Sequence, residues 1–402
     1  MNEHGPTKLE LPRASLGPRL RELASLFLKL GAVSFGGPAA HIALIESEIV
    51  RKRQWVTRQQ FLDMLGAANL IPGPTSTEMA INTGFVHAGW PGLCVAGASF
   101  IVPAALITGA FAWAYVRFGA LPKAASVLMG IKCAVVAVIA IAIWRLGKTA
   151  VKDAGLALLG ALALAAFFFG LNPILILFAG GALGMVRQSA KSVTAGTALL
   201  PTIHVRPGWA LMSAPASAMS VAGSLMAPPS LWRIALVFLK VGAVLYGGGY
   251  VLLAFLEHGL VQQHAWLTRQ QLLDAIAIGQ FTPGPVLSTA TFIGYILGGV
   301  PGAAVATVGI FLPSFFYVAL LAPVLFRLRQ SQWVSAFLDS VNVCAVALMA
   351  GVTFRLAADA VRTWQSWLIA IVSLLVLLRW KISPAWVVLG GGVAGLALDS
   401  LK

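Results

Sequence analysis

The sequence predicts an all-α polytopic membrane protein built from two homologous helical repeats, each with broken or re-entrant helices. Composition, charge-free runs and an internal duplication predict it. Of the 402 residues, 59% are hydrophobic and only 10% charged, against about 25% charged in a soluble chain. No Asp, Glu, Lys or Arg occurs from Met79 to Val116, from Ala154 to Val186, or from Ala275 to Phe326. About 20 apolar residues cross a bilayer as a helix, so the last run has room for two crossings. Runs of this length without alternation are helices, because in hydrocarbon each segment must satisfy its own backbone groups. A soluble enzyme of several domains is excluded.

The duplication has an offset of about 211 residues. FLKLGAVSFGG (Phe27 to Gly37) returns as FLKVGAVLYGG (Phe238 to Gly248), with eight of eleven positions identical. WVTRQQFLDMLGAANLIPGP (Trp55 to Pro74) returns as WLTRQQLLDAIAIGQFTPGP (Trp266 to Pro285), with ten of twenty identical. Glu46 falls on Glu257, Pro103 on Pro313, Arg145 on Arg355 and Pro173 on Pro384. The expected organisation is a polar N-terminal cytoplasmic tail (1–21), a first repeat (22–190), a linker (191–232) and a second repeat (233–402). Within the linker, Gly208 to Ala227 is uncharged and long enough to cross, so the relative orientation of the halves stays open at this stage.

In each repeat the first two apolar segments carry helix breakers at mid-membrane depth. Gly36-Gly37 interrupts Leu23 to Val50, and Pro72-Gly73-Pro74 interrupts Phe61 to Val86. Gly247-Gly248-Gly249 and Pro283-Gly284-Pro285 are their equivalents. A helix that stops before Pro72 restarts with Pro74 in its first turn, where a missing N–H costs nothing. Thr75, Ser76 and Thr77 then lie beside unpaired amides at the positive dipole end. Helix N-termini facing a cavity bind anions, and discontinuous helices near the midplane are a recurrent transporter device. Smoother segments follow near 91–116, 124–144, 154–170 and 173–186.

The candidate substrate-binding residues are therefore Lys29, Gly36, Gly37, Asn69, Pro72, Gly73, Pro74, Thr75 and Ser76, with Lys240, Gly247, Gly248, Gln280, Pro283, Gly284, Pro285 and Ser288 in the second repeat. Lys29 and Lys240 qualify because a lysine inside a span is costly unless it snorkels or pairs. Candidates for gating or coupling are Glu46, Arg58, Asp63, Glu78, Glu257, Arg269 and Asp274. Thr57 and Gln60 form a T-x-x-Q capping box, repeated by Thr268 and Gln271. The first repeat has the more polar restart, since Thr75-Ser76 becomes Val286-Leu287 and Glu78 becomes Thr289. It is expected to contribute more of the substrate contacts.

The net charge of +15 does not indicate nucleic-acid binding, because the basic residues sit at the ends of apolar runs, the pattern of positive-inside topology. Arg51, Lys52, Arg53 and Arg58 flank one run, and Arg145, Lys148 and Lys152 another. Cys94, Cys133 and Cys344 lie in apolar stretches without C-x-x-C spacing, which speaks against a disulfide framework or a metal site. No cofactor motif is visible, and without G-x-x-x-x-G-K-[ST] an ATP-driven pump is disfavoured.

FLKLGAVSFGGP, WVTRQQFLD and NLIPGP, with FLKVGAVLYGGG and QFTPGP in the second repeat, resemble the chromate ion transporter (CHR) superfamily in its long two-domain bacterial form. The resemblance covers essentially all of 22–400. It implies chromate export across the cytoplasmic (inner) membrane that confers chromate resistance, with sulfate as the related oxyanion. It also implies halves of opposite orientation. The partners expected are chromate, sulfate as a second anion, the lipid bilayer and a second copy of the chain as a homodimer. The alternatives kept are a carrier for sulfate or another oxyanion, and an anion channel.

Overall fold

The structure is a computed structural model that describes residues 15–35, 37–119, 121–194, 229–246, 251–321, 331–380 and 382–399. Gly36, Gly247, Gly248, most of the N-terminal tail and the candidate span in the linker lie outside the described residues. Among the described residues every regular element is helical. The first repeat comprises α1 (Leu16–Val33), α2 (Gly37–Glu46) with a π-helical turn (Ser47–Lys52), α3 (Arg58–Ala68), α4 (Thr75–Phe118), α5 (Pro122–Ala150), α6 (Ala154–Phe168) and α7 (Pro173–Thr194). The second comprises α8 (Leu231–Val244), α9 (Leu252–Leu256) with a π-helical turn (Glu257–Gln263), α10 (Arg269–Phe281), a 3₁₀ turn (Val286–Ser288), α11 (Thr289–Leu321), α12 (Gln332–Ala360), α13 (Trp364–Arg379) and α14 (Pro384–Asp399).

The T-x-x-Q sequences form capping boxes in both repeats. The Gln60 amide donates to Thr57 Oγ1 at 3.2 Å, and the Thr57 amide to Gln60 Oε1 at 2.8 Å. The Thr268 and Gln271 pair repeats this at 3.1 and 3.0 Å. Neither α4 nor α11 is a single rod. Ala88 and Gly89 leave helical geometry, with Gly89 at φ +64°, and Gly298 and Gly299 do the same, with Gly299 at φ +61°. A Cβ on Gly84 would collide with the Gly92 carbonyl across this turn, and Gly294 faces Gly302 in the same way. Each long element is therefore a tight hairpin whose small residues let two backbones touch.

The early segments are re-entrant. Trp55, just before α3, stacks on His87 at the end of the first limb of α4, with ring centroids 4.0 Å apart. Glu22 in α1 approaches the same histidine at 3.9 Å. Arg53, after α2, lies 5.4 Å over the Trp55 ring. Both chain excursions thus start and finish at one face, the proximal face, while Ser34 and Pro72 to Pro74 are buried at their turns. Among the described residues, the helices long and apolar enough to cross a membrane are Thr75–Phe118, Ala124–Ala150, Val286–Leu320 and Gln332–Ala360.

The halves are inverted. Lys152, past the end of α5, bonds Asp339 near the start of α12 at 2.7 Å. Cys133, in the first half of α5, points at the Ala360 carbonyl at the end of α12. The two helices are equivalent in the duplication yet antiparallel, so the repeats run in opposite directions. They are also interlocked. α5 packs on α13 and α14 of the other repeat, and α12 packs on α6 and α7. Glycines carry this exchange: Gly130 meets the Gly391 backbone, and Gly180 and Gly184 receive Cys344 and Ser340. In lipid, where apolar area gives no preference between partners, such close fits hold helices together.

Candidate functional site

The four breaks meet in the middle of the molecule. The Gly73 amide donates to the Leu245 carbonyl at 2.7 Å, and the Gly284 amide to the Ser34 carbonyl at 2.9 Å. Ser34 and Leu245 end α1 and α8, so each Pro-Gly-Pro turn is pinned to the broken first helix of the other repeat. These two donors are committed to backbone acceptors. After the first turn, the Thr77 and Glu78 amides bond the Pro74 carbonyl at 2.8 and 3.1 Å. By position, the Thr75 and Ser76 amides are that turn's donors without an intrahelical partner. Gly73 sits at φ +148° and Gly284 at φ +87°, a region that costs any other residue strain.

A cavity of about 620 Å³ reaches the first break. At about 30 Å³ per water it has room for a small anion with much of its hydration shell. Asn69, Ile71, Gly73 and Thr75 line one side, and Arg145, Thr149, Lys152 and Asn342 the other. Lys152 is neutralised by both oxygens of Asp339 at 2.7 Å. Arg145 makes no ion pair among the described residues, so it gives the cavity its uncompensated positive charge. Of its lining residues, Thr149 and Lys152, at and past the C-terminal end of α5, are exposed and lie toward the proximal face.

A second cavity of about 380 Å³ is built from the equivalent places in the other direction. Met129, Lys132, Asp359 and Arg362 stand where Asp339, Asn342, Thr149 and Lys152 stand in the first. It does not reach the second break. Its floor is closed by an ion pair of Lys132 Nζ to Asp274 Oδ1 at 2.9 Å, both side chains buried. Tyr115 donates to the other oxygen of Asp274 at 2.9 Å.

The structure brings Asn69, Gly73 and Thr75 of the sequence candidates to the larger cavity, with Pro72, Pro74 and Ser76 buried directly behind them. Gln280, Pro283, Gly284, Pro285 and Ser288 form the second break and line neither cavity. Gly37 opens α2. Lys29 and Lys240 are exposed and line neither cavity. Glu78 is fully buried, and neither of its carboxylate oxygens has a hydrogen-bond partner among the described residues. Glu46 pairs with Arg51 at 3.5 Å, Asp63 accepts from Gln59 at 3.2 Å, and Arg58 is exposed. Glu257 is fully buried between Arg269 and Arg355 at 3.7 and 3.8 Å.

The cavity residues that sequence reasoning did not single out are Arg145, Thr149, Lys152 and Asn342. Arg145 was legible as one half of an identical pair with Arg355, but its place at the end of an apolar run reads equally as a topology signal.

The model of the chromate transporter family matches residues 21–185 and again 232–396. The chain belongs to the chromate transporter family. A chromate transport protein of Cupriavidus metallidurans is 33% identical over 388 residues, covering 94% of this chain and 92% of that one. A probable chromate transport protein of Synechococcus elongatus is 30% identical, with 90% of both chains covered. A chromate transport protein of Pseudomonas aeruginosa is 29% identical over 93% of this chain and 91% of its own. No solved structure matches. With this family assigned, the pair of inverted, interlocked repeats reads as a multi-pass membrane transporter of that class.

Proposed function

We propose that the protein is a secondary transporter that exports chromate from the cytoplasm across the cytoplasmic membrane by alternating access, and so confers chromate resistance. The observation that carries the reading is the cavity at the first Pro-Gly-Pro break, lined by Arg145, which makes no ion pair among the described residues. A tetrahedral dianion there has a guanidinium able to bind it bidentately. Asn69, Asn342, Thr75 and Thr149 offer hydrogen bonds around it, and the Thr75 and Ser76 amides add the helix N-terminus. Sulfate has the same shape and charge and is expected to compete.

Direction follows from charge. The proximal face carries Arg51, Lys52, Arg53, Arg58, Lys148 and Arg187, which the positive-inside rule makes cytoplasmic. The larger cavity is then open to the cytoplasm. Moving a dianion outward through an inside-negative potential of 100 mV yields about 4.6 kcal/mol, twice the value for one charge. Export needs no partner ion to be downhill, whereas uptake would have to overcome that term. Glu78, buried beside the first break, is the carboxylate placed to couple a cation to the anion's movement. Each repeat, 22–190 and 233–402, supplies one re-entrant gate.

The test is chromate flux from loaded liposomes containing the purified chain, at a potential set by a potassium gradient. The expected outcome is saturable chromate flux that rises with a potential driving anions out and is reduced by sulfate. No flux, or flux indifferent to potential, would refute the reading.

A further inference from the structure

The two repeats hold the same arginine and glutamate in two different arrangements. In the second repeat, Glu257 Oε1 lies 3.8 Å from a terminal nitrogen of Arg355 and 3.7 Å from Arg269 Nε. Glu257 is wholly buried, and the Arg355 guanidinium is also covered by the ring of Phe167 at 4.5 Å. In the first repeat the equivalent residues, Glu46 and Arg145, are apart. Arg145 lines the larger cavity, while Glu46 turns outward to Arg51 at 3.5 Å. Gln262 stands where Arg51 stands, so the second repeat has no outward arginine at that place, and Glu257 keeps Arg269 beside Arg355.

The backbone differs in the same sense. Ile42 of α2 and Arg145 of α5 both line the cavity. Their equivalents belong to α9 and α12, which pack directly, with Leu253 buried in place of Ile42. The cavity is the opened form of a joint that is shut in the other half.

We infer that Arg145 and Arg355 are alternating anion ligands, each masked by the glutamate of its own repeat, Glu46 or Glu257, when its side is closed. This rests on the transport reading. A carboxylate and a dianion compete for one guanidinium. An arriving oxyanion takes Arg145 while Glu46 is solvated, and Glu46 reclaims the arginine once the anion has moved on. On the distal side Arg355 takes the anion as Glu257 gains water, and Glu257 displaces it on closing. A closed joint that masks the anion-binding guanidinium is thereby available to each side without substrate, and the fork geometry favours tetrahedral dianions over halides.

The test compares R355A with the neutral pair E257Q/R355Q, in the full chain reconstituted in chromate-loaded liposomes. R355A leaves Glu257 buried with one less cation and is expected to be both less stable and inactive. The neutral pair removes both charges, so it restores thermal stability toward wild type. Its chromate flux nevertheless stays down about tenfold or more, the loss of one charge-assisted contact. Flux of E257Q/R355Q within about twofold of wild type would show the pair to be structural and overturn the proposal. If wild type itself carries no chromate, the transport reading falls and this one with it. Active wild type with an active neutral pair sinks this one alone.

Discussion

The two repeats share their motifs but not their packing. α10 is embedded, with every residue from Leu272 to Gly279 buried. α3 buries only Phe61, Met64 and Ala68. α10 touches α5, α12 and α14, whereas the main neighbour of α3 is α4 alone. Lys132 and Asp274 tie α5 to α10 at 2.9 Å, while the neutral Asn342 stands in the place of Lys132 in the other repeat. One repeat is thus closed over its break, and in the other a cavity reaches the break. The inverted arrangement turns that into access from one side only, which is what alternating access requires. The difference also teaches that the lock is not symmetric: a buried ion pair holds one side, and a neutral amide faces the other.

The largest expected effect breaks that asymmetry. Removing one member of a buried ion pair leaves an uncompensated charge, at about 3–5 kcal/mol. K132A should therefore lower the thermal midpoint of the detergent-purified protein strongly. N342A, at the same place in the other repeat, should change stability by no more than about 0.5 kcal/mol. Equal shifts for the two variants would mean that the second gate is not held by this pair. The two central glycines come next. G73A and G284A both force an alanine into positive φ, at about 1–3 kcal/mol each. A Cβ on Gly73 meets the end of the flexible Glu78 side chain and Ser314 Oγ. On Gly284 it meets Ala104 Cβ and the Gly31 carbonyl, which cannot yield as easily. G284A should lose more stability than G73A, and both should lose chromate flux.

Glu78 sharpens the comparison from the functional side, since its equivalent is Thr289. A buried carboxylate without a partner is a cost that selection keeps for function rather than for stability. E78Q should stabilise the fold by about 1 kcal/mol, read as a higher thermal midpoint, while lowering chromate flux. A stable and fully active E78Q would remove this carboxylate from the mechanism.

Much of the fold was legible in the sequence because helix breakers act locally. The paired prolines Pro72 and Pro74, and Pro283 and Pro285, each around a glycine, break the helix where they fall, and Thr57 and Thr268 announce their caps within four residues. The exchange of α5 and α12 between repeats was not legible, since it depends on which glycine face meets which across sequence separations of 156 to 261 residues. Arg145 was read as a topology charge because a cation at a span end serves that purpose regardless of what it faces. Lys29 shows the reverse. Its match to Lys240 and its place in a span make it a candidate for anion attraction as well as for snorkelling, but Leu23, Leu26, Phe27 and Leu30 define the buried stripe of α1. At helical spacing Lys29 falls off that stripe.

The smallest expected effect concerns the capping boxes, which are chemically the same in both repeats. Their cap bonds are 3.2 and 3.1 Å, so T57A and T268A each remove about 1 kcal/mol of local helix stability. The consequence should nevertheless differ, because α3 is packed loosely and α10 is enclosed. A loosely packed element opens by itself, below the free energy of global unfolding, whereas an enclosed one opens only with its surroundings. T57A should speed amide hydrogen exchange in 58–68 with little change in the thermal midpoint. T268A should leave exchange in 269–281 slow under native conditions and lower the midpoint instead. If both variants behave alike, the two re-entrant hairpins are equally anchored, and the open and closed repeats differ in cavity shape but not in rigidity.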